Sequence, residues 1–154
     1  MRKKLLTTIA ILALTLATLA MATGCATAPS VVRNPPEDPT IAHQRLQSDG
    51  WISTLVPSIL VTPAVVTATR SSHTLAEMAT WDENTNTRVW SEIVTITYFS
   101  TDALASAAYT TANTTLTATQ NNAPDGVTVS GGVWRNDNII STWTRTAGRF
   151  NANS

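Results

Sequence analysis

Cysteine is almost missing from this chain: there is one in 154 residues, at position 25. A single thiol closes no internal disulfide, so even in an oxidising compartment the fold must rest on its core alone. Histidine is nearly as scarce, with only His43 and His73. His73 opens an extended run with Glu77 four residues on, and in a strand that spacing puts the two side chains ~13 Å apart, too far to hold one metal ion. No metal and no cofactor are therefore expected. Lysine occurs only as Lys3 and Lys4, and the six glycines form no phosphate-cradling loop.

Catalytic patterns are lacking as well. Val129-Ser130-Gly131-Gly132 has no glycine two positions before its serine, so it is not a nucleophile elbow. Asp82, Glu83, Asp125 and Asp137 fall in turn-like segments, where a solvated carboxylate is ordinary. The run Asp82-Glu83-Asn84-Thr85-Asn86 resembles the start of a calcium loop, but Thr87 replaces the required glycine and Ile93 stands where a bidentate glutamate belongs. The chain is expected not to be an enzyme.

What is present begins at the N-terminus. Arg2, Lys3 and Lys4 precede Leu5 to Met21, a stretch that is apolar apart from four threonines. This charge-then-apolar order is that of a secretory signal, and about 17 residues diluted with hydroxyls are short of the roughly 20 that a spanning helix needs. Ala22-Thr23-Gly24-Cys25 follows. These four positions resemble the lipobox of bacterial lipoproteins, although Ala22 stands where leucine is usual. The resemblance implies cleavage between Gly24 and Cys25, diacylglycerol on the Cys25 sulfur, and acylation of the freed amine. Ala26 in place of aspartate implies the outer membrane where the host has two, and otherwise the outer leaflet of the cell membrane. The competing reading is secretory cleavage after Ala20-Met21-Ala22, which would release a soluble protein.

Once residues 1–24 leave, the chain holds seven arginines against ten carboxylates, a net charge of −3. Arg33, Arg45, Arg70, Arg88, Arg135, Arg145 and Arg149 are spread singly along it, so nucleic acid is not an expected partner.

Residues 25–40 carry Pro29, Pro35, Pro36 and Pro39 and no sustained apolar period; they read as a lipidated tether holding the domain ~20 Å or more off the bilayer. Residues 41–154 read as a single domain. A thin helix is expected over Ile41 to Gln47, and Trp51 to Val56 and Ile59 to Thr69 are β-prone but interrupted by Pro57 and Pro63. His73 to Trp81 and Arg88 to Phe99 read as a hairpin; in its second strand Trp90, Val94, Ile96 and Tyr98 share the core face, with Glu92 as the odd member. Ser100 or Thr101 caps a helix running to about Gln120, whose Leu104, Ala105, Ala108, Tyr109, Ala112 and Leu116 make a stripe roughly 140° wide. Val127 to Trp134 and Ile139 to Thr146 form a second hairpin, with a bulge expected at Gly131-Gly132 and fraying beyond Ala147.

The order strand, strand, helix, strand, strand predicts an α+β domain: a small antiparallel sheet with one main helix on one face. Over about residues 92–143, the alanine-rich helix opened by Ser100-Thr101-Asp102 and the strand ending Val133-Trp134-Arg135 resemble small uncharacterised lipoproteins of actinobacteria. That likeness implies a fold and no activity.

Of the five tryptophans, Trp51, Trp81, Trp90, Trp134 and Trp143, most are expected to fill the core. Trp81 and Trp134 lie at strand ends beside turns and are the candidate ligand-binding pair, able to stack on wall sugars or anchor a protein. The expected function is a membrane-anchored envelope module that binds a cell-wall polymer or an envelope protein. The alternatives are a small wall hydrolase and a phage- or plasmid-borne exclusion lipoprotein.

Overall fold

Alternation along residues 88–98 organises the molecule, because Trp90, Val94, Ile96 and Tyr98 fall on one face of that strand and must be covered. The computed structural model describes residues 27–151 except 61, 79 and 82–85. In chain order they form α1 (Ser30–Arg33), α2 (Pro39–Ser48), β1 (Ile52–Val56), β2 (Ala64–Ser71), α3 (Leu75–Met78), β3 (Asn86–Tyr98), α4 (Asp102–Asn121), β4 (Thr128–Asn136) and β5 (Ile139–Asn151). The strands make one antiparallel sheet in the order β1-β2-β3-β5-β4. The fold is α+β, with α4 packed on one face of an open sheet.

Register defines the two faces, since paired residues project to the same side. Val66, Ile96, Ser141 and Trp134 form one row, and Ala68, Val94, Trp143 and Gly132 form the next. Val66, Ala68, Val94, Ile96 and Ser141 are fully buried there, beneath Val31 and Val32 of α1, Ala42 and Leu46 of α2, and Trp51. The proline-rich stretch expected to be a tether thus joins the core from Ala28 onward, through Ala28, Val31 and Val32. Its prolines exclude a long helix but not packing: the Ser141 hydroxyl donates to the Val32 carbonyl, and the Tyr98 hydroxyl donates to the Pro36 carbonyl at 3.0 Å. Asp38 caps α2 through the Thr40 amide at 2.7 Å, and Pro39 occupies the first turn, where its missing N–H costs nothing.

Helix α4 lies on the opposite face, over β4 and β5. Thr101 caps it, accepting from the Leu104 amide at 3.3 Å. Ala105 is fully buried, and Ala108, Tyr109, Ala112 and Leu116 are half-buried. Leu104, placed on the stripe from sequence, is 51% exposed. The threonines that make this a weak helix former return their hydroxyls to carbonyls one turn back: Thr110 to Ser106, Thr111 to Ala107, Thr114 to Thr110 and Thr119 to Thr115.

Four further expectations are corrected. Strand β2 is continuous from Ala64, because Pro57 and Pro63 bound the β1–β2 turn instead of interrupting a strand. Residues 73–78, expected to open a strand, do not form one; Thr74 and Glu77 form a reciprocal capping box, the Thr74 amide donating to Glu77 Oε2 at 2.6 Å and the Glu77 amide to Thr74 Oγ1 at 3.2 Å, which nucleates α3. Gly131 and Gly132 carry no bulge, since the β4–β5 register runs unbroken from Thr128 to Asn136. Finally, β5 does not fray at Ala147: that residue is fully buried and the strand reaches Asn151.

Candidate functional site

At one end of the sheet, beyond the cover of α1 and α2, the helix-free rows carry charge. Glu92 is the inward-facing acid of β3, flanked across the register by Arg70 of β2 and Arg145 of β5. Its side chain is 2% exposed. A carboxylate so buried needs compensation worth several kcal/mol. Arg70 Nε supplies one bond to Oε2 at 2.5 Å and Arg145 Nη1 another to Oε1 at 3.2 Å. Each guanidinium also lies over an indole, Arg70 at 4.3 Å from the Trp51 ring centre and Arg145 at 4.9 Å from that of Trp90. Cation–π contacts of this kind contribute ~0.5–2 kcal/mol and hold a guanidinium at a fixed height above its ring.

Two rows further out, on the same face, the register sets Arg88 directly opposite Arg149. Both are exposed, and Arg149, like Arg145, has a further interaction partner. Four of the seven arginines that look scattered in the sequence therefore share one sheet face, within ~13 Å along the strand. The acid facing them from the same rows is the buried Glu92. Such an arrangement can hold an anion by charge.

The pair Trp81 and Trp134 is not brought together. Trp81 packs on Met78 and Val89, and its ring meets that of His73 edge-on with centroids 5.1 Å apart. Val89 belongs to the α4 side of the sheet. Trp134 lies on the other side, folded back so closely that a Cβ on Gly132 would sit 2.5 Å from its ring. Along β3 the two indoles are separated by about seven residues, ~23 Å, as well as by the sheet itself. Trp51 and Trp143 are core residues, each 4% exposed. Cys25 and Gly24 lie outside the described residues, as do Asp82 and Glu83.

The remaining candidates hold structural posts. His43 Nδ1 is 2.9 Å from Ser53 Oγ, and His73 Nδ1 is 3.0 Å from Ser72 Oγ. Backbone and side-chain hydrogen bonds from Thr74 hold the Glu77 carboxyl below the ordinary range. Ser130 Oγ donates to the Arg145 carbonyl at 3.3 Å. No group of three His, Cys, Asp or Glu side chains placed to hold a metal occurs among the described residues. Comparison of the chain with known protein families, with curated proteins and with solved structures gave no match.

Two clefts open among the described residues. One of about 340 Å³ separates α4 from the sheet and is lined by Ile93, Thr95, Leu116, Val133 and Thr142, with no ionisable group. The other, about 430 Å³, lies at the end of the sheet away from the arginines, between Glu37, Tyr98, Asp137 and Asn138. Burial pushes the Tyr98 phenol up to about 12, Asp38 adding to the effect, and its hydroxyl donates to the Pro36 carbonyl. Glu92 was legible as an acid on an apolar face; its arginines were not, because register decides them.

Proposed function

We propose that this chain is a bacterial envelope lipoprotein, anchored through acylated Cys25, whose domain is a non-catalytic module binding an anionic wall polymer on the arginine-bearing end of its sheet. The observation that carries the binding role is the placement of Arg70, Arg88, Arg145 and Arg149 on one sheet face beside Trp90, in a chain that otherwise bears net negative charge. Building such a surface against the overall charge favours phosphate or carboxylate groups as the ligand. The anchoring role rests on the signal and on Ala22-Thr23-Gly24-Cys25.

Two experiments test it. Mass spectrometry of the mature N-terminal peptide should find diacylglycerol on Cys25, and Cys25→Ser should move the protein out of the membrane fraction. Isolated wall sacculi that keep their anionic polymers should retain the protein in a salt-sensitive manner, and the Arg88→Gln, Arg149→Gln double variant should lose that retention. Equal retention of the double variant would remove the arginine end as the binding surface.

A further inference from the structure

The turn between β1 and β2 is built against the usual economy of a small fold. From Gly50 to Thr69 the sequence holds no charged residue. At its apex Val56 is 57% exposed, Ile59 63% and Leu60 96%. Leu60 also sits in the left-handed region, at φ 55°. For a non-glycine residue that conformation is strained. Leu60 thus strains the backbone and buries nothing, so the domain's own stability gives no reason for a leucine there. Two hydrogen bonds close the turn: Ser58 Oγ donates to the Thr62 carbonyl at 2.9 Å, and the Thr62 amide to the Ile59 carbonyl at 3.0 Å.

What covers this tip follows from where the chain enters the domain. Ala28 is already 7% exposed, three residues after Cys25. Three residues span at most ~10 Å. Four residues on, the Val32 carbonyl receives Ser141, two residues, or ~7 Å, from the Ile139 end of β5, so the first segment of the domain packs on the half of the sheet that carries the tip and reaches its end at Pro36. Ile139 pairs with Tyr98, and Tyr98 with Ala64 at the root of the β1–β2 turn. We infer that the domain lies directly on the lipid bilayer, with Val56, Ile59 and Leu60 inserted at its surface as a second contact beside the acyl chains. This rests on the lipoprotein reading for the chains and on the tip's own geometry for the insertion. Insertion is shallow, because Glu37 and Asp137 line the cleft next to Ser58 and Ala64 and are repelled by anionic lipid. The arginine rows then point away from the membrane, Arg88 being ten residues, ~33 Å, from Tyr98 along β3.

The full chain, lipidated and reconstituted into phosphatidylcholine vesicles with brominated acyl chains, tests this. A fluorophore on Leu60→Cys should be quenched several-fold more than one on Thr117→Cys, an exposed site of α4, and less so when phosphatidylglycerol is added. Leu60→Gly should raise thermal stability by relieving the left-handed backbone while weakening attachment; a tip that served only the fold would show no change in attachment. An acylated protein unquenched at position 60 overturns the insertion and leaves the anchor intact. A protein quenched at 60 but carrying no lipid on Cys25 overturns the anchor and upholds the insertion. A blue-shifted label without vesicles, growing with protein concentration, shows a second copy on the tip and also overturns the insertion.

Discussion

Glu92→Gln is the substitution that most directly weighs the charged end of the sheet. It keeps the volume of the side chain and removes the charge between two guanidinium groups. The two partners do not count equally. Arg145 is 18% exposed, so its bond at 3.2 Å is that of a largely dehydrated cation, and weakening it costs ~1.5–3 kcal/mol. Arg70 is 38% exposed, and water screens what it loses, leaving ~0.5–1 kcal/mol in spite of the shorter contact. Together these give a loss of about 3 kcal/mol, on the order of a hundredfold in the folding equilibrium. Urea unfolding followed by tryptophan fluorescence measures it, since Trp51 and Trp90 lie under the guanidiniums concerned. A double-mutant cycle with Arg145→Met should return most of the loss as coupling, because removing both members leaves no lone buried charge. A loss below about 1 kcal/mol would refute the reasoning, for it would mean that the carboxylate is hydrated and the cluster a surface one.

Three further outcomes are expected. Gly131→Ala should cost about 1–3 kcal/mol in the same assay, since the new Cβ would lie 2.5 Å from the Trp143 carbonyl oxygen and 3.0 Å from Leu116 Cδ1; Gly132→Ala should cost less, because the Trp134 ring that it meets can swing away. Thr146→Val should raise stability by about 1 kcal/mol, the Thr146 hydroxyl being buried with no partner among the described residues. Tyr98 has its phenol raised from the ordinary 10 to about 12 in the folded protein, so the stability it contributes is complete below pH 10 and falls away as pH rises through 12; Tyr98→Phe should flatten that alkaline slope in a series of urea melts, while losing the bond to Pro36.

The sequence conveys the parts of this fold that periodicity controls and hides those that register controls. Residues 88–99 and 101–120 announce themselves, one by twofold alternation and the other by a cap and an alanine stripe, and both stand within a few residues of expectation. The capping box Thr74-Leu75-Ala76-Glu77 is equally legible by its spacing, but β-propensity around it masks the signal. Residues 28–36 mislead for a physical reason: four prolines in the neighbourhood argue against regular structure, and regular structure is not what they need in order to bury Val31 and Val32. Glu92 stands out as an acid on an apolar face, which demands a cation. Which cation is beyond a linear reading, since Arg70 lies 22 residues before it and Arg145 53 after.

The contact between Ser141 and Val32 joins residues 109 apart. Synthesis from the N-terminus delivers Val31 and Val32 long before the strand that shelters them. Their apolar side chains must wait, uncovered, until the last hairpin has emerged and found its place against β3. Assembly is then a late and collective event governed by distant pairing, which is slow. A product that stops short of residue 141 would leave that early segment with nothing to close upon.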